Sequence, residues 1–294
     1  MSIFVRFWGV RGSIPTPGRS TRRFGGNTSC VEIRTEDHLF ICDAGTGLRQ
    51  LGIELGKRPG DTIEAHMFFS HMHWDHIQGF PFFMPAYGAQ NTFHVYETSG
   101  EADKVTRLLE GQMRSDYFPV DFKLLASRII PVGFRTGEIN IGDVTVRSAT
   151  QEHPGGSYAF SFEREGKKVV YATDNELDLW LEDPELPLRE PDKLRPLPQD
   201  FVSFVRGADL LIADGQYTDE EYPRKKGWGH PRASTLVDLA IQAQVRQLAI
   251  FHHDPMHTDS MVDEKIDNCR MRAERLGVPL VIFGAREGLE LKIF

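Results

Sequence analysis

The hydrophobic positions of this chain fall into short runs that alternate with stretches of helical spacing. Apolar or alternating runs bounded by glycine, proline or polar residues predict strands over residues 4–9, 29–34, 38–42, 65–69, 142–147, 157–164, 168–173, 247–251, 280–284 and 289–293. Apolar residues at helical spacing predict helices over residues 101–113, 234–244 and 263–276. Strands that alternate with helices indicate an α/β fold. Because no linker or repeat interrupts the pattern, the chain of 294 residues is predicted to form a single domain, residues 1–294.

Composition and charge exclude several classes of protein. The formal net charge of −8 gives no overall electrostatic attraction to nucleic acid or acidic membranes. The chain has no apolar run long enough to span a bilayer, and its first residues lack the features of a signal peptide. Its 3 cysteines, Cys30, Cys42 and Cys269, are widely spaced and odd in number. This pattern argues against a disulfide framework and predicts a cytoplasmic protein.

The strongest chemical signal is the segment His71-Met72-His73-Trp74-Asp75-His76. It places three imidazoles and a carboxylate in one turn, directly after the apolar run of residues 65–69. Burying such a cluster without a cation is costly, whereas imidazole and carboxylate are the usual ligands of catalytic zinc and similar ions. His71 and His73 are expected to face one side of the turn, and Asp75 and His76 another. This arrangement suits two adjacent metal ions better than one.

Further candidate ligands follow other predicted strands. The turn Asp43-Ala44-Gly45-Thr46-Gly47 follows residues 38–42, His153 follows residues 148–152, and Asp174 follows residues 168–173. The pair His252-His253 follows residues 247–251. Sites in α/β folds lie at such strand ends. Taken together, these motifs resemble the metallo-β-lactamase superfamily, and the resemblance covers nearly the whole chain.

The resemblance implies a four-layer αββα fold and a dinuclear metal site. Carried over residue by residue, one ion is held by His71, His73 and His153, the other by Asp75, His76 and one of the last two histidines, with Asp174 as the bridge. The implied cofactors are two divalent ions per chain, zinc in the first place and manganese or iron as alternatives.

The last ligand is either His252 or His253. Adjacent residues of an extended backbone point to opposite sides, so only one of the two reaches the site easily. Alignment of this strand end with that of ribonuclease Z favours His252.

A second segment, residues 226–235, narrows the resemblance to ribonuclease Z and its small relatives, which include cyclic phosphodiesterases. It contains a glycine-histidine turn, Gly229-His230, directly before a predicted helix. In that branch this histidine lies near the scissile phosphate, and an acidic residue at the end of an upstream strand, here Asp214, supports it. His230 is therefore the candidate general acid and Asp214 its orienting partner, because an alkoxide leaves poorly unless it is protonated. The branch usually has glutamate at the position of Asp214.

The segment from about residue 175 to residue 204 is an acidic, proline-rich insert. It stands where ribonuclease Z carries a basic arm for tRNA, but its carboxylates outnumber its basic residues Arg189, Lys193 and Arg195. An acidic arm repels phosphates. We therefore expect a covering loop and a small-molecule substrate, and we do not expect tRNA as a partner.

These observations predict a dinuclear metal-dependent hydrolase, a phosphodiesterase that acts on a small or cyclic nucleotide-type phosphodiester. Asp75 is expected to bind metal and to orient or deprotonate the attacking water, and His230 to protonate the leaving oxygen. The alternative is a hydrolase of a lactone, β-lactam or thioester on the same fold, which needs no pair of His230 and Asp214. The resemblance also favours a homodimer, and no membrane partner is expected.

Other residues are expected to lie outside the site. Residues 80–87 either form a wall of a substrate pocket or a subunit contact, or are buried under the next layer. His66 and His94 are expected in the core or at a strand edge, and His257 in an exposed turn.

Overall fold

The computed structural model describes residues 2–57, 62–98, 103–134 and 137–294 of the chain. The strands are β1 (Ile3–Gly9), β2 (Cys30–Arg34), β3 (Leu39–Cys42), β4 (Glu64–Phe68), β5 (Thr92–Glu97), β6 (Arg128–Gly133), β7 (Glu138–Ile141), β8 (Val144–Gln151), β9 (Ser157–Arg164), β10 (Lys167–Ala172), β11 (Leu210–Asp214), β12 (Gln247–Phe251), β13 (Val281–Gly284) and β14 (Glu290–Ile293). The helices are α1 (Gly47–Leu55), α2 (Trp74–Ile77), α3 (Lys104–Gln112), α4 (Leu186–Arg189), α5 (Gln199–Val205), α6 (Ala233–Gln242) and α7 (Asp259–Arg275).

Within the described residues, the strands form two mixed sheets of seven strands each. The first has the order β14-β1-β2-β3-β4-β5-β6, and the second has the order β13-β12-β11-β10-β9-β8-β7. Strands β3 to β6 are parallel in the first sheet, and strands β10 to β13 are parallel in the second. Because parallel strands end at the same edge of a sheet, this topology gathers many loops at that edge.

The two sheets pack face to face through an aromatic core. Phe40 of β3 and Phe68 of β4 meet Phe160 and Phe162 of β9 in one buried cluster. The rings of Phe68 and Phe162 lie edge to face with centroids 5.4 Å apart, a favourable aromatic geometry.

The outer faces of both sheets are covered by helices. In β10, Val169 and Tyr171 pack toward the first sheet, whereas Val170 and Ala172 belong to the cluster formed with α5, α6 and α7. Helices α1 and α3 cover the first sheet. The layers are thus helix, sheet, sheet and helix, and the predicted αββα fold is confirmed.

Two predicted segments differ from the structure. The insert at 175–204 contains α4 and most of α5, and its residues Leu177, Leu181 and Leu197 are buried in the outer core of the second sheet. In the helix predicted over residues 101–113, Glu101 lies outside the described residues, and α3 begins at Lys104. No helix among the described residues is long and apolar enough to cross a membrane.

Candidate metal centre

The side chains predicted as metal ligands meet at one edge of the two sheets. They lie in the loops and the short helix that follow β4, β8, β10 and β12. All are buried except His73, which is exposed. Most of them form two groups in which the donor atoms lie within 4.8 Å of one another: His71, His73 and His153, and Asp75, His76 and His252.

Each group points its donor atoms toward a common space. In the first, the Nδ1 atom of His73 lies 3.1 Å from the Nε2 atom of His153. In the second, the Oδ2 atom of Asp75 lies 3.2 Å from the Nε2 atoms of both His76 and His252. Nitrogen and carboxylate donors that converge in this way can hold a divalent ion such as zinc.

Asp174 lies between the two groups and faces each with a different oxygen. Its Oδ2 atom is 3.7 Å from the Nε2 atom of His71 and 3.6 Å from that of His153. Its Oδ1 atom is 3.3 Å from the Nε2 atom of His76 and 3.2 Å from that of His252. Burial alone would raise the pKa of Asp174, but the surrounding histidines hold it well below its ordinary value. The carboxylate is therefore ionised and placed to serve both groups.

Hydrogen bonds on the far side of the rings fix the orientation of three candidate ligands. The Nδ1 atom of His76 donates to Asp43 at 2.7 Å, that of His153 to the carbonyl oxygen of Gly229 at 2.8 Å, and that of His252 to Gln216 at 2.9 Å. A ring that donates through Nδ1 keeps the lone pair of Nε2 free. All three lone pairs are thus available to a metal ion.

Asp43 is the most connected of the residues to which the sequence assigned no role. Its carboxylate accepts hydrogen bonds from the backbone and hydroxyl of Ser70, from Tyr171 and from His76, all at 2.7 Å. The turn that begins at Asp43 is visible in the sequence, but Tyr171 comes from the second sheet. Only the packing of the two sheets brings these groups together.

Three residues of the centre have a left-handed backbone although none is glycine. The φ angles are 60° at Asp43, 56° at Asp174 and 55° at His252. Such conformations cost about 1–3 kcal/mol each and occur mainly where function requires them. Asp43 and His252 directly follow a strand, and Asp174 lies two residues after the end of β10, so the left-handed turn directs each side chain into the centre.

The donor set fits divalent metal ions. The Nε2 atoms of His71 and His76 are buried and have no hydrogen-bond partner among the described residues. An unpaired buried nitrogen is costly, and a cation at this place would satisfy it. The mixture of imidazole and carboxylate suits zinc and similar first-row ions.

The structure separates the two adjacent histidines at the end of β12. The ring of His252 faces Asp75 and Asp174, as described above. His253 points away: its Nε2 atom donates to the carbonyl oxygen of Ala285 at 2.9 Å, and its ring packs against Phe24. The geometry favours His252 as the ligand.

His252→Ala is therefore expected to bind about one ion fewer per chain than the wild-type protein, because one group loses a donor. His253→Ala is expected to keep the wild-type metal content. It should lower the free energy of unfolding by about 1–3 kcal/mol, because the carbonyl of Ala285 is left unpaired. Elemental analysis and thermal unfolding of both variants measure the two effects. If His253→Ala loses metal and His252→Ala does not, the ligand assignment must be exchanged.

His230 and Asp214 form a close pair beside the metal groups. The Nδ1 atom of His230 lies 2.7 Å from the Oδ2 atom of Asp214, and the imidazole stacks on His252 with centroids 5.0 Å apart. Burial lowers the pKa of His230, but Asp214 and Asp174 outweigh it and raise the value to about 9. Bound divalent cations would act in the opposite direction, because they repel an imidazolium. The pair thus has the geometry of a proton donor held by a carboxylate.

A glycine is required next to this pair. Gly229 has a φ of +91°, and a Cβ atom at this position would lie 2.2 Å from the Nδ1 atom of His153. Any other side chain would displace His153, so the glycine-histidine turn in the sequence reflects a tight steric constraint.

The remaining histidines lie outside the centre. His66 stacks on His94 with ring centroids 4.9 Å apart, and both residues lie within β4 and β5. The prediction that His257 is exposed is wrong. It is buried, and its Nε2 atom lies 2.8 Å from Glu221.

Residues 80–87 are buried only in part. Phe80 and Phe83 are buried in the cluster under the first sheet, whereas Phe82 and Met84 are exposed.

Comparison with known families identifies the fold. The family model described as the beta-lactamase superfamily domain matches residues 38–253, which include all seven predicted ligands. The chain belongs to the β-lactamase superfamily. The predicted family resemblance is thus confirmed, the chain is a metal-dependent hydrolase, and membership in this superfamily implies divalent metal ions.

Individual proteins align with this chain over most of its length. Ribonuclease Z from Natronomonas pharaonis is 25% identical over 287 residues, which are 86% of this chain and 87% of that protein. A crystal structure of a diphosphatase from the PhnP family has a TM-score of 0.68 at 15% identity and covers 99% of this chain and 98% of its own. Human tRNase Z, short form, has a TM-score of 0.64 at 17% identity and covers 98% of each chain.

The expectation that tRNA is not a partner is wrong. It rested on the charge of the insert at 175–204, but relatives that align over most of the chain are named ribonuclease Z, and the fold is shared with a human tRNase Z.

Part of the negative charge of the insert does not reach the surface. Glu176 accepts hydrogen bonds from Tyr222 and from the backbone of Gly227 and Gly229, and Asp178 pairs with Arg232. These carboxylates are buried and fully engaged, so they do not present a repulsive surface to a phosphate.

Proposed function

We propose that this protein hydrolyses nucleotide-type phosphodiesters with two divalent metal ions, zinc in the first place. One ion would be held by His71, His73 and His153, the other by Asp75, His76 and His252, with Asp174 shared between them. Divalent ions in such a site lower the pKa of water and neutralise the charge that develops on phosphate.

The observation that carries the proposal is the pair of His230 and Asp214. Hydrolysis of an unactivated phosphodiester expels an alkoxide, which needs a proton as the bond to phosphorus breaks. His230 is placed to donate this proton, and the 2.7 Å hydrogen bond to Asp214 holds its ring in position. A lactonase, β-lactamase or thioesterase on this fold has no need of that pair. The names of the ribonuclease Z relatives support the same chemistry.

Asp75 is the proposed acceptor for the proton of the attacking water. Its Oδ2 atom accepts a hydrogen bond from the backbone N–H of Ser13 at 2.7 Å. Burial raises the pKa of Asp75, but His76 and His252 lower it well below its usual range. The carboxylate is thus held in one orientation and ionised.

A small or cyclic nucleotide remains a proposed substrate, and RNA is a second one, because relatives that align over most of the chain are named ribonuclease Z. The homodimer and the cytoplasmic location also stay predictions. All 3 cysteines are buried and free, as expected of a protein from a reducing compartment.

Removal of the metal ions is expected to abolish hydrolysis of bis(p-nitrophenyl) phosphate, and zinc, manganese or iron should restore it. The experiment strips the protein with a chelator, adds back each metal in turn, and assays cyclic nucleotides, a short RNA, a lactone and a thioester in parallel. Calorimetry controls for loss of fold during stripping. If the reconstituted protein hydrolyses the lactone or thioester and none of the phosphodiesters, the proposal is wrong and the alternative hydrolase replaces it.

A further inference from the structure

A basic and aromatic loop borders the candidate metal centre. It consists of residues 224–228, with the sequence Arg224-Lys225-Lys226-Gly227-Trp228. The next residue, Gly229, accepts the hydrogen bond of His153, and His230 follows it. The loop is therefore continuous with the proposed proton donor.

The loop concentrates positive charge in a chain whose net charge is −8. Among the described residues, Arg224, Lys225 and Lys226 form no ion pair. Of the three acidic residues before them, Asp219 accepts hydrogen bonds from Arg195 and Ser234, and Glu221 from His257, whereas Glu220 is exposed. The three cations thus remain available to a ligand.

Trp228 adds an aromatic surface to this charge. Its side chain is 58% exposed, although tryptophan is usually among the more buried residues. The Nζ atom of Lys225 lies 4.3 Å from the centroid of the Trp228 ring, so the two side chains form a cation–π contact. Trp74, which sits between the candidate ligands His73 and Asp75, is also exposed, at 67%.

The backbone of the loop is hydrogen-bonded to a buried carboxylate. The buried carboxylate of Glu176 accepts hydrogen bonds from the backbone N–H groups of Gly227 at 2.6 Å and Gly229 at 2.7 Å, and from the hydroxyl of Tyr222 at 2.8 Å. The backbone on both sides of Trp228 is therefore held in place. A preorganised loop costs less conformational entropy when a ligand binds.

We propose that residues 224–228 bind a single-stranded RNA beside the scissile phosphate, the cations contacting its backbone and Trp228 stacking on a base. Cationic side chains that follow the backbone, together with exposed aromatic rings, are the usual means of binding single strands. The proposal rests on the proposed function, because a strand is expected at this loop only if one of its phosphodiesters is cleaved at the neighbouring centre. A nucleoside monophosphate carries a single phosphate, whereas a strand offers a separate phosphate to each cation.

The test measures binding apart from hydrolysis. A fluorescein-labelled uridine oligomer with phosphorothioate linkages is titrated with zinc-loaded protein, and the anisotropy is followed at several salt concentrations. A gel run afterwards checks that the oligomer is intact. The variants are Trp228→Ala and the triple variant Arg224→Gln, Lys225→Gln, Lys226→Gln. The matched control is Arg206→Gln, Lys123→Gln, Lys292→Gln, which removes the same charge from exposed positions elsewhere.

The triple variant is expected to bind about tenfold or more weakly. The slope of the logarithm of its affinity against the logarithm of the salt concentration should become less negative by about two, because each phosphate contact on a single strand contributes roughly 0.7 to that slope. Trp228→Ala is expected to lose about tenfold in affinity with an unchanged slope, since an indole carries no charge. The control triple should keep the wild-type slope.

Three results would overturn the assignment: equal losses in the triple variant and its control, equally tight binding of a duplex, or displacement of the oligomer by uridine monophosphate at equal affinity. If the loop binds the oligomer as expected but the wild-type protein hydrolyses no diester under any metal, the proposed function fails and the binding surface stands.

Discussion

Asp174→Ala is expected to lower the metal content from about two ions to less than one per chain and to reduce hydrolysis by at least about 10³-fold. The reason is the position of this carboxylate, whose two oxygens face different histidine groups at 3.2–3.7 Å. A shared ligand serves both ions, so its loss weakens both. The ions supply several kcal/mol of stabilisation to the reaction, and each 1.4 kcal/mol, roughly, is tenfold in rate.

Two further variants separate this effect from loss of fold. Asp174→Asn keeps the shape and one neutral oxygen, so its metal content and rate should fall between those of the wild type and Asp174→Ala. Asp209→Ala removes another buried carboxylate, which bonds Lys168 and Arg246 just before β11 begins, at the end away from the centre. It should lose stability but keep its metal. Full metal content and wild-type kinetics in folded Asp174→Ala would refute the shared-ligand arrangement.

The hydrophobic pattern predicted an α/β fold and the bounds of several strands, whereas the four layers were implied by the family resemblance. Strands at 157–164 and 247–251 have the predicted bounds, because their apolar runs are unbroken or strictly alternating and end at polar turns. β6 was missed: it contains Pro131, a residue that usually argues against a strand, and most of its side chains are only half-buried. Helix α1 was missed because Gly47 and Gly52 within it weaken the helical pattern.

The candidate ligands could be read from the sequence, but the groups that orient them could not. His71 to His76 form a compact motif, and the other ligands end recognisable strands. Tyr171 and Gln216, in contrast, contact Asp43 and His252 only because two sheets and several strand ends converge. No local pattern marks a residue for such a contact.

Charge counting failed for a related reason. The number of carboxylates in the insert is visible in the sequence, but their partners are not. Glu176 is a buried anchor for the loop at 224–228, so a residue read as a source of repulsion in fact holds a basic segment in place. Net charge describes long-range attraction, whereas binding depends on which charges remain unpaired at the surface.

His230→Ala is expected to retain metal but to hydrolyse an unactivated diester roughly 10²–10⁴-fold more slowly, the usual contribution of a positioned acid. A diester with a nitrophenolate leaving group should be affected much less, because that anion departs without a proton. Asp214→Asn should show the same dependence on the leaving group more mildly, since Asp214 only orients His230 through their 2.7 Å hydrogen bond.

The comparison of two substrates makes this test independent of stability, because a partly unfolded variant loses activity toward both equally. His66→Ala is a suitable control: His66 is also a buried histidine, but its Nδ1 atom contacts Tyr96 within the first sheet, away from the centre. Its two rates should keep the wild-type ratio. If His230→Ala lowers both rates by the same factor while metal is retained, His230 is not the proton donor. The leaving oxygen must then receive its proton from another group, and the main support for phosphodiester chemistry at this centre is lost.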